Sequence, residues 1–424
     1  MNSRILSKLQ HRIFKNSFYL YLSHFADYLL LIIVLPFIAR ALGPIALGNI
    51  GLAQTFGLLV LLLLEFGFNV IVTREVALNP KNNLKILELA GKVFSFKIYL
   101  IPLVIFITLI IILIHPVFYH EPELLLLSVL AAIFQSFIPT WYFQGVENFK
   151  HLAITKTIFR FLAFITALLI VKSPSDGWLF LMVQAISSFL IAIFLLLIMS
   201  KKIGMIKFQK LSQIRKIVKS SFSGFVIIVL PTVFNNIIIF LLSYILNPLL
   251  LGYYYGVTKI HRAFNTLYSP IFESFFPYLI SIYKKDQRIA INKIKYFNFI
   301  LLMLGCFFAI LIWFLSETII TIFLGKEFIH SANYLRAFGL LLPVTVISYI
   351  WGNQWMIVIN KEERLSKILL ISNLVGITLF LIIVSKFEIF SVPISIAFSE
   401  VVKFILIINA LKTSKRNFEA NIKN

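Results

Sequence analysis

LLLGYYYGVTKIHRAFNTLYSPIFESFFPYL, running from Leu249 to Leu279, is the stretch whose reading decides the fold. A bilayer-crossing helix needs about 20 mostly apolar residues, and this run is long enough. Yet Lys259, His261, Arg262 and Glu273 lie inside it. At about 100° per residue, and with Lys259 as origin, Arg262 falls near 300°, Thr266 near 340°, Ser269 near 280° and Glu273 near 320°. These positions share one narrow stripe, while His261, at about 200°, points elsewhere and reads as a packing or interfacial histidine. A charge at the centre of a membrane helix costs about 2.5–3.5 kcal/mol, so such groups should face a bundle interior or a wet cavity. The stripe therefore predicts a wall along which something anionic passes, with Lys259 as a point charge and Arg262 as a bidentate fork for phosphate oxygens. The competing reading is an internal network in which Glu273 neutralises a buried base.

The rest of the chain fits a membrane setting. Over 424 residues, 60% are hydrophobic and 13% charged, and the mean hydropathy is +0.95. That is too apolar for a soluble protein and too long for a single crossing, so the expected fold is all-α and polytopic. Hydrophobic windows place spans at residues 18–38, 46–66, 93–115, 124–143, 152–171, 178–199, 218–242, 249–279, 297–315, 334–359, 368–384 and 390–411. This predicts twelve transmembrane helices. The basic start, MNSRILSKLQHRIFK, resembles a signal peptide, but it lacks an A-x-A site and the apolar run after it holds Asp27, so it reads as leading into the first span. The single cysteine, Cys306, excludes an internal disulfide and a Cys-based metal site.

A net charge of +22 would suggest nucleic acid in a soluble chain. Here its placement matters more. The loops on one side, with both termini, hold 29 of the 39 Lys and Arg, counting Lys150 and Lys156 among them. The other side holds Arg40, Lys172, Lys326 and Lys386. By the positive-inside rule both termini are expected in the cytoplasm, and the charge is explained by topology and anionic headgroups without nucleic acid.

The longest connector, Ser200 to Ile217, is basic and divides the spans into two sets of six. The expected organisation is an N-terminal lobe (1–199), a cytoplasmic linker (200–217) and a C-terminal lobe (218–424). A repeat supports the cut: Lys15-Asn-Ser-Phe18 returns as Lys219-Ser-Ser-Phe222, and LGPIALG (Leu42–Gly48) as LNPLLLG (Leu246–Gly252), each 204 positions later. Both halves start on the same side, which predicts parallel lobes around a central cavity.

Other candidates follow from composition and position. In the first span Asn16, Ser23 and Asp27 fall within about 40° of one another, so Asp27 reads as a site for a coupling proton or cation, or as the partner of a lumen base. Glu65, near the cytoplasmic end of the second span, offers the same proton or cation role but reads more simply as an acid at headgroup level. Arg160, in the fifth span, is a further lumen base. Glu400 and Lys403, three apart, are expected to pair. PTWYFQG (Pro139–Gly145) and WGNQW (Trp351–Trp355) offer Trp141, Tyr142, Gln144, Trp351, Asn353 and Gln354 as glycan contacts, because aromatic faces stack on sugar rings and amides bond their hydroxyls. An interfacial aromatic belt has the same composition. His115, His120, Glu121 and Glu123 read as a solvated outer loop rather than a metal site. There is no P-loop, no metal-ligand spacing and no catalytic set, so neither enzyme activity nor a cofactor is expected. Outer loops of no more than roughly 15 residues argue against an outer-face polymerase or ligase, which remains the alternative beside a cation-coupled drug or metabolite exporter.

ARALGPIALGNIGLAQTF with GFNVIVTREVA, then PTWYFQGVENFKHLAITKTIFR, then YYYGVTKIHRAFNTLYSPIFESFFP, together resemble the successive signatures of bacterial polysaccharide-biosynthesis flippases. These are the O-antigen and lipid-linked oligosaccharide translocases of the multidrug/oligosaccharidyl-lipid/polysaccharide exporter superfamily. The resemblance covers nearly the whole chain, and PTWYFQGVEN is its most specific part. It implies a multi-pass carrier of the bacterial inner membrane with a cationic cavity. Such a carrier moves an undecaprenyl-pyrophosphate-linked repeat unit outward by alternating access, with H+ or Na+ and polysaccharide assembly proteins as possible partners. It also places Lys259 and Arg262 on the family's basic eighth helix, and matches Arg40 and Arg74 to the arginines after the first and second helices. Twelve spans lack the pair that some superfamily members use as a lipid-tail groove.

Overall fold

The computed structural model describes the backbone of residues 3–423. It describes side chains from 33 to 412, except at positions 70, 216, 220, 223–224, 226–235, 269–270, 273–274, 277 and 284. The chain is all-helical, and no strand occurs among the described residues. It divides into two compact units, Met1–Val229 and Leu230–Asn424.

The first unit opens with α1 (Ser3–Glu65), which is two helical segments joined at Gly43 (φ 70°, ψ 176°). Glycine takes this positive φ without a Cβ penalty, and Pro44, lacking an N–H, suits the first position of the segment that follows. A second break at Phe66 and Gly67, both at positive φ, leads to α2 (Phe68–Leu78). Then come α3 (Asn83–Ile114), α4 (Pro116–His120), α5 (Pro122–Ser136), α6 (Thr140–Gly145), α7 (Phe149–Ile170), a 3-10 turn (Pro174–Asp176) and α8 (Gly177–Ile203). The unit boundary falls inside α9 (Leu211–Ile245).

The second unit continues with α10 (Pro248–Thr266), α11 (Ser269–Lys285) and α12 (Gln287–Phe323). A 3-10 turn (Lys326–Ser331), α13 (Ala332–Gly339), α14 (Leu341–Tyr349) and a π-helix (Ile350–Met356) follow. Next are α15 (Glu362–Phe387), a 3-10 turn (Glu388–Phe390) and α16 (Ser391–Lys423). The order of elements is that of the first unit. The repeated LGP and LNP motifs land on equivalent junctions, a proline opening a helix after a glycine or an asparagine cap. The likeness goes further than the sequence reading saw: Asn82 caps α3 through the Lys85 N–H at 3.0 Å, and Asp286, 204 positions later, caps α12 through the Arg288 N–H at 2.7 Å.

Among the described residues eight helical segments are long and apolar enough to cross a membrane. One of them, Glu362–Lys412, contains both the eleventh and the twelfth expected spans. The chain is a multi-pass membrane protein. Of the other expected spans, residues 218–242 lie on α9 and residues 249–279 on α10 and α11.

In the first unit α5 packs against α1 and α8, and α2 against α6. Phe68, Val72, Val93, Trp141, Phe143, Leu195 and Met199 form the core on that side. In the second, α15 packs against α16 and α12 against α14, with Met356, Leu365, Ile368 and Ile407 filling one end.

The expected linker, residues 200–217, is only partly non-helical: α8 runs to Ile203 and α9 begins at Leu211. The residues between lie along α3. Ser95 Oγ accepts the Gln209 N–H at 2.8 Å, and the Phe208 ring sits 5.0 Å from Tyr99. Gly91 permits this approach, because a Cβ there would lie 2.7 Å from the Lys207 carbonyl oxygen.

Candidate functional site

Helix α10 carries the cationic positions. Asn247 caps it by accepting the Leu250 N–H at 2.9 Å, and its early turns, Leu251 to Val257, are buried. Its later turns rise toward the surface. Lys259 is half-buried with its ammonium 4.7 Å from the Tyr255 ring centre, a cation–π contact, and Arg262 is exposed. His261 packs edge-on to Phe338 at 5.5 Å, and its Nε2 accepts from the Asn265 amide at 2.7 Å. It is a packing histidine.

The continuous stripe expected from Lys259 to Glu273 is corrected by a break at Leu267 and Tyr268. There the Leu267 N–H reaches the Phe264 carbonyl and the Tyr268 N–H reaches that of Asn265, both three residues back, at 3.2 Å each. Such bonds overwind a helix. Pro270 has no N–H to give to the Thr266 carbonyl, which is the physical reason the α-helical ladder stops here. Angular positions on α10 therefore do not carry over into α11. Lys259, Arg262 and Thr266 remain on one helix, but Ser269 and Glu273 belong to the next. The side chains of Asp27, Ser269 and Glu273 lie outside the described residues.

At this break sits a cavity of about 290 Å³, whose lining includes Asn265, Thr266, Tyr268 and Phe272, with Thr345 and Tyr349 from α14. The Phe272 and Tyr349 rings lie 4.3 Å apart at 33°, and Tyr268 is 6.2 Å from Phe272. Thr266 donates its hydroxyl to the Ala263 carbonyl at 2.7 Å, and Thr345 donates to that of Leu342 at 3.1 Å. The WGNQW segment is the π-helix that continues α14, a distortion found often at functional sites. Trp351 and Asn353 are half-buried in it. Gln354 is buried; its Nε2 donates to the Phe272 carbonyl at 3.5 Å, while its Oε1 has no partner among the described residues.

The other expected contacts lie in the first unit. Trp141 has no exposed surface and Tyr142 has 3%, because Gly145 lets α6 seat tightly on α2: a Cβ there would stand 2.6 Å from Val76. These two rings are core packing in this conformation, with no face open to a sugar. Gln144 and Arg160 are half-buried, and Arg40 and Arg74 are exposed.

Sequence reasoning missed Lys97. It is 2% exposed on α3, and its ammonium donates to the carbonyl of Ser136, the last residue of α5. That is the negative end of a helix dipole, which favours a cation. The signal was a lysine inside an apolar span. Lys156 lies within α7 rather than in a loop. Glu400 and Lys403 form the expected ion pair, both side chains 13% exposed. Among the described residues, no three His, Cys, Asp or Glu side chains gather as a metal site would need; His115 is buried and Glu121 accepts from the Asn49 amide at 3.2 Å.

Comparison with known proteins adds a family to this geometry. The model of the family described as "Polysaccharide biosynthesis protein" matches residues 13–283, well over half of the chain. A Shigella dysenteriae protein described as a "Putative O-antigen transporter" is 28% identical over 405 residues, covering 94% of this chain and 100% of that one. A protein of the same description from Escherichia coli K12 is 23% identical, covering 95% of this chain and 97% of its own. Among solved structures, the fold is similar to lipid II flippase MurJ in an inward closed conformation, with a TM-score of 0.71, 19% identity, and coverage of 93% of this chain and 87% of that one. It is also similar to the eukaryotic MATE transporter AtDTX14, with a TM-score of 0.55 and 15% identity over 94% of this chain and 96% of that one.

Proposed function

Because the chain belongs to the polysaccharide biosynthesis protein family, we propose that it is a flippase for an undecaprenyl-pyrophosphate-linked oligosaccharide. The precursor of an O-antigen, capsule or exopolysaccharide would pass from the cytoplasmic to the outer leaflet of the inner membrane. The carrying observation is the match to the Shigella relative described as a "Putative O-antigen transporter", which covers 94% of this chain and 100% of that one. The reading is of a carrier, not an enzyme.

In this reading Lys259 and Arg262 hold the pyrophosphate, Lys259 by charge and Arg262 by two parallel hydrogen bonds. Arg262 is exposed and Lys259 half-buried, so neither is sealed away from an anion. Arg40, Arg74 and Arg160 are further phosphate partners, and Trp351, Asn353 and Gln354 glycan contacts, while the polyprenyl tail stays in lipid. Both termini lie in the cytoplasm. A membrane potential that is negative inside favours outward movement of each negative charge by about 2.3 kcal/mol per 100 mV. Cavity cations that moved with the substrate would cancel that gain, and counter-movement of H+ or Na+ through Asp27 or Glu273 would restore a driving force.

The test is a deletion strain. Loss of the protein should leave lipid-linked units on the cytoplasmic face, whereas single units stranded on the outer face would indicate a polymerase. Lys259→Ala with Arg262→Ala should fail to restore export while reaching the membrane at normal levels. Full export by the double variant would remove the pyrophosphate assignment.

A further inference from the structure

The segment between α8 and α9 has a chemistry that a plain connector does not need. Six Lys and Arg lie from Lys201 to Lys216, and no Asp or Glu occurs between Asp176 and Glu273. Lys207 and Lys210 are exposed and make no ion pair among the described residues. Acids on α2 and α3 are engaged elsewhere: Glu75 pairs with Lys85 at 3.1 Å, and Glu88 pairs with Lys92. Large apolar side chains alternate with these cations and point outward, Met205 being 86% exposed, Phe208 57% and Leu211 64%. Apolar groups gathered on a surface mark a partner or a membrane.

Position separates the two. The peptide groups of Gln209 are held on both sides, the N–H by Ser95 Oγ at 2.8 Å and the carbonyl by the Tyr99 hydroxyl at 3.3 Å. Further back, the Asn83 amide donates to the Lys202 carbonyl at 3.1 Å. Lys207 and Lys210 therefore flank Phe208 at a set spacing, laid against α3. Before Ser95 that helix carries charged residues such as Glu88 and Lys92, whereas from Ile98 to Ile114 every exposed position is aliphatic, aromatic or proline. That change marks the line where headgroups give way to hydrocarbon. Gln209 lies on this line, and Tyr99 is the amphipathic ring expected at such a level. The Phe208 ring, 5.0 Å from Tyr99, extends the lipid-facing wall that Leu103 and Phe106 continue.

An acidic protein would answer the lysines but leave Phe208 and the wall next to it uncovered. An anionic phospholipid answers both. Its phosphate oxygens accept from the ammonium groups, whose stems reach along apolar surface, and its acyl chain covers the ring. We propose that the α8–α9 connector is a binding site for one anionic phospholipid, with Lys207 and Lys210 on the headgroup phosphate and Phe208 with Tyr99 against the start of an acyl chain. The leaflet is the cytoplasmic one in the orientation given above. The proposal does not depend on the flippase reading, since it concerns the lipid-facing side of the first unit and not the path of a substrate.

The test titrates delipidated full-length protein with phosphatidylglycerol and with phosphatidylcholine, and counts bound lipid by native mass spectrometry. Wild type should bind phosphatidylglycerol at least about fivefold more tightly, and Lys207→Gln with Lys210→Gln should bring the two lipids within about twofold of each other. Phe208→Ser should weaken both lipids alike, by about threefold, and leave their ratio unchanged. As a control, Lys81→Gln with Lys367→Gln removes the same charge from exposed positions elsewhere and should keep the wild-type ratio. An equal loss of preference in that control would mean attraction by overall charge and would overturn the local site. Full preference in the Lys207 and Lys210 double variant overturns it as well. Equal binding of the two lipids by wild type does the same and returns the basic face to an acidic protein.

Discussion

Single side chains divide sharply into those the sequence exposes and those it hides. Lys97 was missed, although a lysine inside an apolar span demands a partner, and the sequence does not say which: the carbonyl that holds it belongs to Ser136, 39 positions away. Its replacement by methionine keeps the stem and removes the ammonium, leaving the carbonyl at the end of α5 without its donor. A buried acceptor left without its partner costs about 1–3 kcal/mol. Lys97→Met should therefore lower the thermal midpoint of the purified protein clearly, whereas the same change at exposed Lys201 should leave it unmoved. Trp141 shows the opposite case. Aromatic belts, sugar platforms and cores share one composition, and only the close seating of Gly145 on Val76 separates them. Gly145→Leu should disturb folding and membrane yield more than any substitution at exposed Arg74.

Elements were read well where apolar runs were uninterrupted and poorly where a helix changes pitch. The wheel drawn through residues 249–279 assumed one period, and the i→i−3 bonds at Leu267 and Tyr268 remove that assumption. Pro270 was visible as a warning, yet proline alone does not say whether a membrane helix kinks, overwinds or ends. Charge and length mark residues 200–217 as a basic linker but say nothing about whether the segment between α8 and α9 is laid on a neighbour. Its seat on α3 depends on Gly91. Gly91→Val should lift residues 204–210 from α3, which is checked by trypsin: cleavage after Lys207 and Lys210 should become several-fold faster than in wild type while the folded bulk of the chain remains resistant.

For the molecule as a whole, apolar length and charge asymmetry carried most of the reading, since a bilayer leaves helices as the economical way to satisfy the backbone. The topology is open to direct test, because Cys306 is the only native cysteine. In a Cys306→Ser background, a cysteine placed at Lys207 should be labelled by a membrane-impermeant maleimide only in inside-out vesicles, and one at Lys172 only in intact spheroplasts. The reverse pattern would invert the assigned orientation.

The duplicated order of elements makes the two units comparable position by position. Counting 204 residues forward, the frame that holds Glu65 and Lys97 arrives at Ser269 and Leu301. One copy buries an ammonium, Lys97, on the carbonyl of Ser136; its twin has apolar packing at Leu301 and keeps a hollow beside the bend. Two descendants of one plan have thus parted ways, the former toward stiffness and the latter toward vacancy, and a substitution carried from one to its counterpart should not be expected to have the same effect.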